Sequence, residues 1–203
     1  MTLLLDNSEL EPLISAAEFV NALDVAYRSF SMGEGVCAPR IDLQSGEIAP
    51  DANYQLGLAV GMSGKYAALR IKSDVVMRQI IEGVARKDKY CVSPGTYLGL
   101  VLLFDRSNGA LLAILHDGLL QKMRVGADSA LGVRYMARAD ACVLGILGSG
   151  GMARAHVAAI AAVRQLDRVQ IYSPTRKNRE QFAREMAEIH GVEAVAVDAP
   201  EAA

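Results

Sequence analysis

The sequence has few of the features that mark disulfide-bonded, nucleic-acid-binding or membrane proteins. Its three cysteines are odd in number and form no C-x-x-C pair, which argues against a disulfide framework and fits a reducing compartment. Lysine and arginine total 21 against 23 acidic residues, so no positive field attracts nucleic acid or anionic lipid. No basic leader occurs, and no apolar run approaches the roughly 20 residues of a membrane span. We therefore expect a cytoplasmic protein without nucleic-acid or membrane partners.

Metal ligands and P-loop residues are also missing. His116, His156 and His190 lie far apart, and neither H-E-x-x-H nor a Cys/His ligand spacing occurs. The P-loop pattern G-x-x-x-x-G-K-[ST] is absent as well. The sequence therefore predicts no metal site and disfavours a P-loop nucleotide site.

Apolar residues are plentiful, at 52% of 203 residues, and in the first half they form short runs between turn signals. A capping box of Ser15 and Glu18 predicts the start of a helix. Turn residues at 63–65 and at 108–109 each separate two apolar runs and predict two hairpins. A further helix is predicted over 74–87. This half is typical of an α+β fold with antiparallel strands.

From about residue 121, helices alternate with buried strands. The predicted elements are helix 121–138, strand 141–148, helix 151–166, strand 168–173, helix 177–191 and strand 192–197. Alternation at this length indicates right-handed crossovers and a parallel sheet. The sequence thus predicts an α/β protein, with an antiparallel α+β domain at 1–120 and an incomplete Rossmann-type domain at 121–203.

The stretch LGILGSGGMA, residues 144–153, lies where a predicted strand meets a predicted helix and matches G-x-G-x-x-[GA]. Gly148 permits a tight turn, Gly150 leaves room for a pyrophosphate, and small Ala153 allows close packing of helix and strand. The first-turn N–H groups and the helix dipole then face the phosphates. This arrangement favours dinucleotide binding over a purely structural crossover. The candidate cofactor-binding residues of this loop are Gly148, Ser149, Gly150, Gly151, Met152 and Ala153.

The end of the second strand of this half, in IYSPTRKN, bears on the choice of cofactor. An NAD-binding sheet typically has an acidic residue there for the ribose hydroxyls, and none occurs in this stretch. Ser173, Thr175 and Arg176 stand there instead and suit a 2′-phosphate. The sequence therefore favours NADP over NAD, although an ordinary solvated loop has the same composition.

Residues 97–160, YLGLVLLFDRSNG through VAAI, resemble the ornithine cyclodeaminase and mu-crystallin family. Members of that family share an ordered run, lfD…tG…lT…RT(A/G)A…yLAr, which leads directly into a G-x-G-x-Q-A loop. The resemblance covers essentially the whole chain and is densest over 97–190. It implies a nicotinamide-binding Rossmann domain coupled to an antiparallel domain that binds a small amino or imino acid and forms a homodimer.

The resemblance also implies substrate-binding residues in the first half. CAPRIDL is similar to the family's P-x-R segment, so Arg40 matches an arginine that holds the substrate carboxylate; a surface-loop arginine is the alternative. Arg70 stands at the position of an active-site lysine, and Lys72 lies on the same strand face. Arginine does not readily lose its proton, so Arg70 suits charge stabilisation better than proton donation.

In the second half, Arg124 matches the arginine of the RT(A/G)A segment, which in the family lies between substrate and cofactor. Val125 replaces the threonine of that segment, and Met152 replaces the glutamine of the glycine loop. Both replacements predict altered cofactor contacts.

The family's chemistry gives two functional hypotheses. The first is an NAD(P)-dependent enzyme that converts ornithine to proline and ammonia or reduces a ketimine or cyclic imine. The second is a non-catalytic NADPH-binding protein of the mu-crystallin type. The family's catalytic aspartate follows later Rossmann strands, and Asp198 in the final VAVDAPEAA does not match it. We expect that aspartate to lie beyond residue 203 and the chain as written to be truncated and poorly active.

Overall fold

The computed structural model describes residues 1–81, 84–93 and 98–203, which divide into two units. The first unit comprises Met1–Leu13 and Ala26–Leu120, and the second comprises Ile14–Val25 and Gln121–Ala203. The sequence assigned all of residues 1–120 to one domain. The structure instead groups Ile14–Val25 with the second unit.

Strands dominate the first half of the chain and alternate with helices in the second. The elements are β1 (Leu3–Leu5), α1 (Asn7–Leu10), α2 (Ala16–Ser31), β2 (Val36–Cys37), β3 (Ile41–Ala49), β4 (Ala52–Ser63), β5 (Tyr66–Ile81), β6 (Val84–Tyr90), β7 (Gly99–Asp105), β8 (Leu111–His116), α3 (Asp117–Met136), β9 (Val143–Leu147), α4 (Gly151–Ala161), β10 (Arg168–Tyr172), α5 (Arg176–His190) and β11 (Glu193–Ala196).

An eight-stranded sheet forms most of the first unit. Six strands lie in the order β1-β8-β7-β5-β4-β2, while β3 pairs with β4 and β6 pairs with β5. The described pairings are antiparallel except for β1 with β8, which is parallel. The predicted antiparallel first half is therefore confirmed, with one parallel strand added at its edge.

Both predicted hairpins are present. Strands β4 and β5 pair from Ser63 and Tyr66 outward, and Gly64 turns the chain with a φ of +53°. Strands β7 and β8 meet at Gly109, where φ is +74° and the Asn108 side chain accepts from the Ala110 N–H. In both turns a glycine supplies the positive φ that other residues rarely adopt.

The helix predicted over 74–87 is wrong, because this segment continues β5 and forms β6. Residues 82 and 83 lie outside the described residues. On either side of them β5 and β6 pair with each other, and Val76 lies opposite Lys89. Asp74 and Val76, two positions apart, are both buried, which is the period of a strand. Pairing with β4 over Asp74–Met77 and with β6 over Val75–Ile81 decides the conformation, and the apolar periodicity of the segment does not.

The second unit contains the predicted parallel sheet, in the order β11-β10-β9. Helices α4 and α5 connect its strands and pack on it. The side chains in this packing that are at most 1% exposed are Val157, Phe182 and Met186 of the helices and Val169 and Ile171 of β10. Burial of each such side chain stabilises the fold by about 1.5–3 kcal/mol. The Rossmann-type character of this half is confirmed.

A second buried cluster explains why the start of α2 belongs to this unit. Val20 is fully buried and packs with Ala127, Ala130 and Ile160 of the following helices. The helix begins at the predicted capping box, in which the Glu18 carboxylate accepts from the Ser15 N–H and the Glu18 N–H donates to Ser15 Oγ.

Candidate cofactor and substrate sites

The loop between β9 and α4 has the backbone of a phosphate-binding turn. Gly148 has a φ of +121°, which other residues rarely adopt, and its N–H donates to the Tyr172 carbonyl over 2.7 Å. Gly150 precedes α4 with extended backbone, and a Cβ built there meets no atom within 4 Å. Ala153 packs inward at 8% exposure, whereas Met152 is 37% exposed. The backbone at Gly150 is therefore open to a ligand at a helix N-terminus.

Two serines tie this loop to the end of β10. The Ser149 hydroxyl donates to Ser173 Oγ over 3.0 Å, and Ser173 is buried. Ser173, predicted to face the ribose, thus uses its hydroxyl to fix the glycine loop.

The cations near the end of β10 differ in their surroundings. Arg176 is exposed and donates to Glu180 over 2.7 Å, which raises its pKa. Arg179 is buried and donates to the Ser173 carbonyl and to Asp198. Thr175 precedes α5 as its exposed N-cap and makes no side-chain cap bond.

Helix α3 approaches the glycine loop through a helix crossing. A Cβ at Gly126 would lie 2.3 Å from the Ala155 carbonyl oxygen, so only glycine permits this contact between α3 and α4. One turn earlier on α3, Lys122 lies beside the loop, with its Nζ 3.5 Å from a Cβ built at Gly151. The sequence analysis missed Lys122, because only the crossing at Gly126 brings it to the loop.

Arg124, the predicted site arginine of α3, lies in the second unit. It donates to Asp128 over 2.7 Å, one turn later on the helix, and about half of its side chain is exposed. Val125 is partly buried beside it. Arg124 is thus held in an intrahelical ion pair.

The other predicted substrate residues gather on one face of the first unit's sheet, each in an ion pair. The pairs are Arg70 with Asp117 at 2.7 Å, Lys72 with Asp74 at 3.0 Å, and Arg40 with Asp42 at 2.6 Å. Asp74 and Asp117 are 2–3% exposed, so these two carboxylates anchor their cations from below the surface. The structure therefore brings Arg40, Arg70 and Lys72 together.

Two glycines make this arrangement possible. Lys72 of β5 lies opposite Gly57 on β4 and opposite Gly99 on β7. A Cβ at Gly99 would lie 2.5 Å from Asp117 Oδ2, and one at Gly57 would lie 3.1 Å from an Arg40 guanidinium nitrogen. The missing side chains leave the space that the flanking ion pairs occupy.

Lys89 on β6 joins this face and was missed by the sequence analysis. Its Nζ donates to Gln55 Oε1 over 2.8 Å, and Gln55 is buried. Burial lowers the pKa of the Lys89 ammonium; nearby Asp74 opposes this shift, and the charges of Lys72 and Arg40 add to it. Because residues 74–87 were predicted to be helical, nothing in the sequence placed Lys89 beside β5.

The sequence model of the ornithine cyclodeaminase/mu-crystallin family matches residues 2–203. The chain belongs to this family. Δ1-Pyrroline-2-carboxylate reductase of Bacillus cereus is 28% identical over 189 residues, covering 93% of this chain and 54% of that protein. The predicted family membership is confirmed.

Solved structures of the family share the fold. An archaeal alanine dehydrogenase dimer with bound NAD superposes with a TM-score of 0.80 at 24% identity, covering 99% of this chain and 57% of that one. Δ1-Pyrroline-2-carboxylate reductase of Thermococcus litoralis, in complex with NADH and L-proline, gives 0.77 at 27% identity, with 98% and 57% covered. This family member thus spans little more than half the length of the relatives it matches.

Two further observations concern the described residues alone. No helix among them is both long and apolar enough to cross a bilayer. Within the same residues, no group of three or more His, Cys, Asp or Glu side chains is arranged to hold a metal ion.

Proposed function

We propose that the protein is an NAD(P)-dependent enzyme of amino or imino acids, which converts ornithine to proline and ammonia or reduces a ketimine or cyclic imine. The observation that carries this proposal is the open glycine loop, where a Cβ at Gly150 meets nothing within 4 Å at the start of α4. The similarity to a Δ1-pyrroline-2-carboxylate reductase supports the imine branch.

The residues of the second unit fit a dinucleotide. The amides that follow Gly148 would hold the diphosphate, and the Lys122 ammonium, 3.5 Å from the built Gly151 Cβ, would add a positive charge. The end of β10 carries Ser173, Thr175 and Arg176 with no carboxylate among them. This composition supports NADP over NAD as the preferred cofactor.

The cationic side chains would bind the substrate. Arg40, Arg70 and Lys72 of the first unit are proposed to hold the substrate carboxylate, and Arg124 of the second unit is a further proposed substrate-binding residue. When bound, the nicotinamide would supply or accept the hydride. Buried Asp74 and Asp117 keep Lys72 and Arg70 in place, so their contribution is to position cations.

The second candidate function is NADPH binding without turnover. One observation favours it: Arg70, at the position of the family's lysine, is locked to buried Asp117. A guanidinium keeps its positive charge at physiological pH and is a poor proton donor, whereas a buried lysine can lose its proton.

A homodimer is also proposed. Opposite the cationic face, the sheet exposes apolar side chains of β3 and β4, with 40–56% of each accessible: Ile41, Leu43, Val60 and Met62. A contiguous apolar strip of this kind is typical of an interaction surface. The archaeal alanine dehydrogenase with the same fold is a dimer.

Titration of the 203-residue chain with NADPH and NADH tests the cofactor proposal. The chain contains no tryptophan, so the nucleotide's own fluorescence reports binding without interference. We expect NADPH to bind more tightly than NADH. Oxidation of NADPH on addition of Δ1-pyrroline-2-carboxylate would support the enzyme, and binding without oxidation would support the second candidate.

The variant Gly150→Leu locates the binding site. Its side chain would occupy the open space before α4 and should lower NADPH affinity by tenfold or more. Gly132→Leu is the matched control, because a Cβ at Gly132 also meets nothing within 4 Å and lies away from the loop on α3. Unchanged NADPH affinity in Gly150→Leu would contradict the proposed cofactor site.

A further inference from the structure

Lys89 differs from the other cations of the sheet face in its partner. Arg40, Arg70 and Lys72 each pair with an aspartate, whereas Lys89 Nζ donates to the neutral amide oxygen of Gln55. Among the described residues, Lys89 is therefore the one cation of this group that forms no ion pair with a carboxylate, although Asp74 lies near enough to attract its charge.

The register of the sheet puts Lys89 on the same face of the sheet as the proposed substrate residues. Lys89 lies opposite Val76, and Asp74 lies opposite Gln55, so these side chains project from one face of β4, β5 and β6. Lys72 and Arg40 lie close enough to repel the Lys89 charge, and Asp74 lies close enough to attract it. An anion placed among these cations would relieve that repulsion.

The ammonium group of Lys89 also has donors to spare. A lysine carries three N–H donors, and the described residues use one of them, toward Gln55 Oε1 at 2.8 Å. The buried Gln55 holds the ammonium in place, and the two other N–H groups of the ammonium have no acceptor among the described residues. Two donors on one fixed cation suit the two oxygens of a carboxylate.

On the basis of the proposed function, we propose that Lys89, held by Gln55, binds the carboxylate of the amino or imino acid. Lys89 thereby adds a further contact to the carboxylate beside Arg40, Arg70 and Lys72, which also pair with their aspartates. The ligand class is a small α-amino or α-imino acid with a free carboxylate, and the corresponding amide would lack the group that Lys89 recognises.

Calorimetric titration of the full chain with L-proline and with L-prolinamide tests this assignment. We expect Lys89→Gln to weaken L-proline binding by about tenfold or more, because one charge-assisted contact is lost. L-Prolinamide should bind wild type and Lys89→Gln equally. Lys89→Arg should retain a preference for L-proline over the amide.

Lys65→Gln is the control, because Lys65 is exposed in the turn between β4 and β5 and is not among the charges that act on Lys89. It should bind L-proline like wild type. Equal urea midpoints for all variants would exclude unfolding as the cause of a lost affinity.

The outcomes separate this inference from the proposed function. Unchanged L-proline affinity in Lys89→Gln, with NADPH binding intact, overturns the role of Lys89 and leaves the cofactor proposal standing. Failure of the wild type to distinguish L-proline from L-prolinamide also overturns it. Loss of selectivity in Lys89→Gln in a chain that binds no nucleotide would support Lys89 and contradict the cofactor proposal.

Discussion

Lys122 lies beside the glycine loop because α3 crosses α4. The loop itself is distant from Lys122 in the sequence. Gly126 lets α3 contact the Ala155 carbonyl, and Lys122 one turn earlier then reaches Gly151. In the part of the chain that the structure describes, Lys122 makes no ion pair that would neutralise it. A dinucleotide phosphate is the group that such a cation would meet there.

We predict that Lys122→Ala weakens NADPH binding about threefold to tenfold, since an exposed contact to phosphate is lost. The effect should shrink as salt screens the interaction. Fluorescence titration at low and high ionic strength measures both. Arg138→Ala removes a cation that is 84% exposed beyond the end of α3, and it should leave the affinity unchanged. A similar loss in both variants would point to overall charge instead of a contact at Gly151.

Helices α4 and α5 are joined by an ion pair on the sheet. The Arg154 guanidinium donates to both carboxylate oxygens of Glu185 and lies 5.2 Å from the centre of the Phe182 ring. These hydrogen bonds from Arg154 hold the pKa of Glu185 below the ordinary glutamate value. A lowered pKa in the folded state stabilises the fold above the unfolded pKa, and this contribution is lost as pH falls through the folded pKa.

We therefore predict that Arg154→Met lowers the free energy of unfolding by about 1 kcal/mol near neutral pH. The difference from wild type should narrow as the pH falls below the ordinary glutamate pKa and through the lowered pKa of Glu185 in the folded state. Urea unfolding at several pH values measures it. The control Arg168→Met removes a more exposed pair with Glu193 and should change the stability less. A difference that stays constant down to pH 3 would assign the effect to packing on Phe182.

Elements whose conformation is decided locally were predictable from the sequence. The hairpins at Gly64 and Gly109 and the G-x-G-x-x-A loop could be predicted because each needs a positive φ, which glycine itself permits. The segment 74–87 could not, because it becomes extended through pairing with β4 over Asp74–Met77 and between β5 and β6. The contact between Lys89 and Gln55 could not be predicted either, because the two residues are 34 positions apart. The positions of side chains that depend on such strand pairing can be found only from the three-dimensional structure.

At the scale of the whole molecule, the apolar strip on β3 and β4 predicts self-association. We expect the chain to be dimeric in sedimentation or light-scattering measurements, and Leu43→Glu to shift it to monomer by placing a charge in the strip. Leu13→Glu is the control, since Leu13 is 63% exposed but lies outside the sheet. A monomeric wild type at micromolar concentration would contradict the proposed dimer.

The contact of Gly99 with Asp117 sets a limit on which sequences can keep this arrangement of charges. In a library that replaces each glycine in turn, even alanine at position 99 would displace the Asp117 carboxylate and release Arg70. Position 46, where a Cβ meets nothing within 4 Å, should accept most side chains. Tolerance to replacement at these two positions would therefore differ sharply, although the same residue type occupies both.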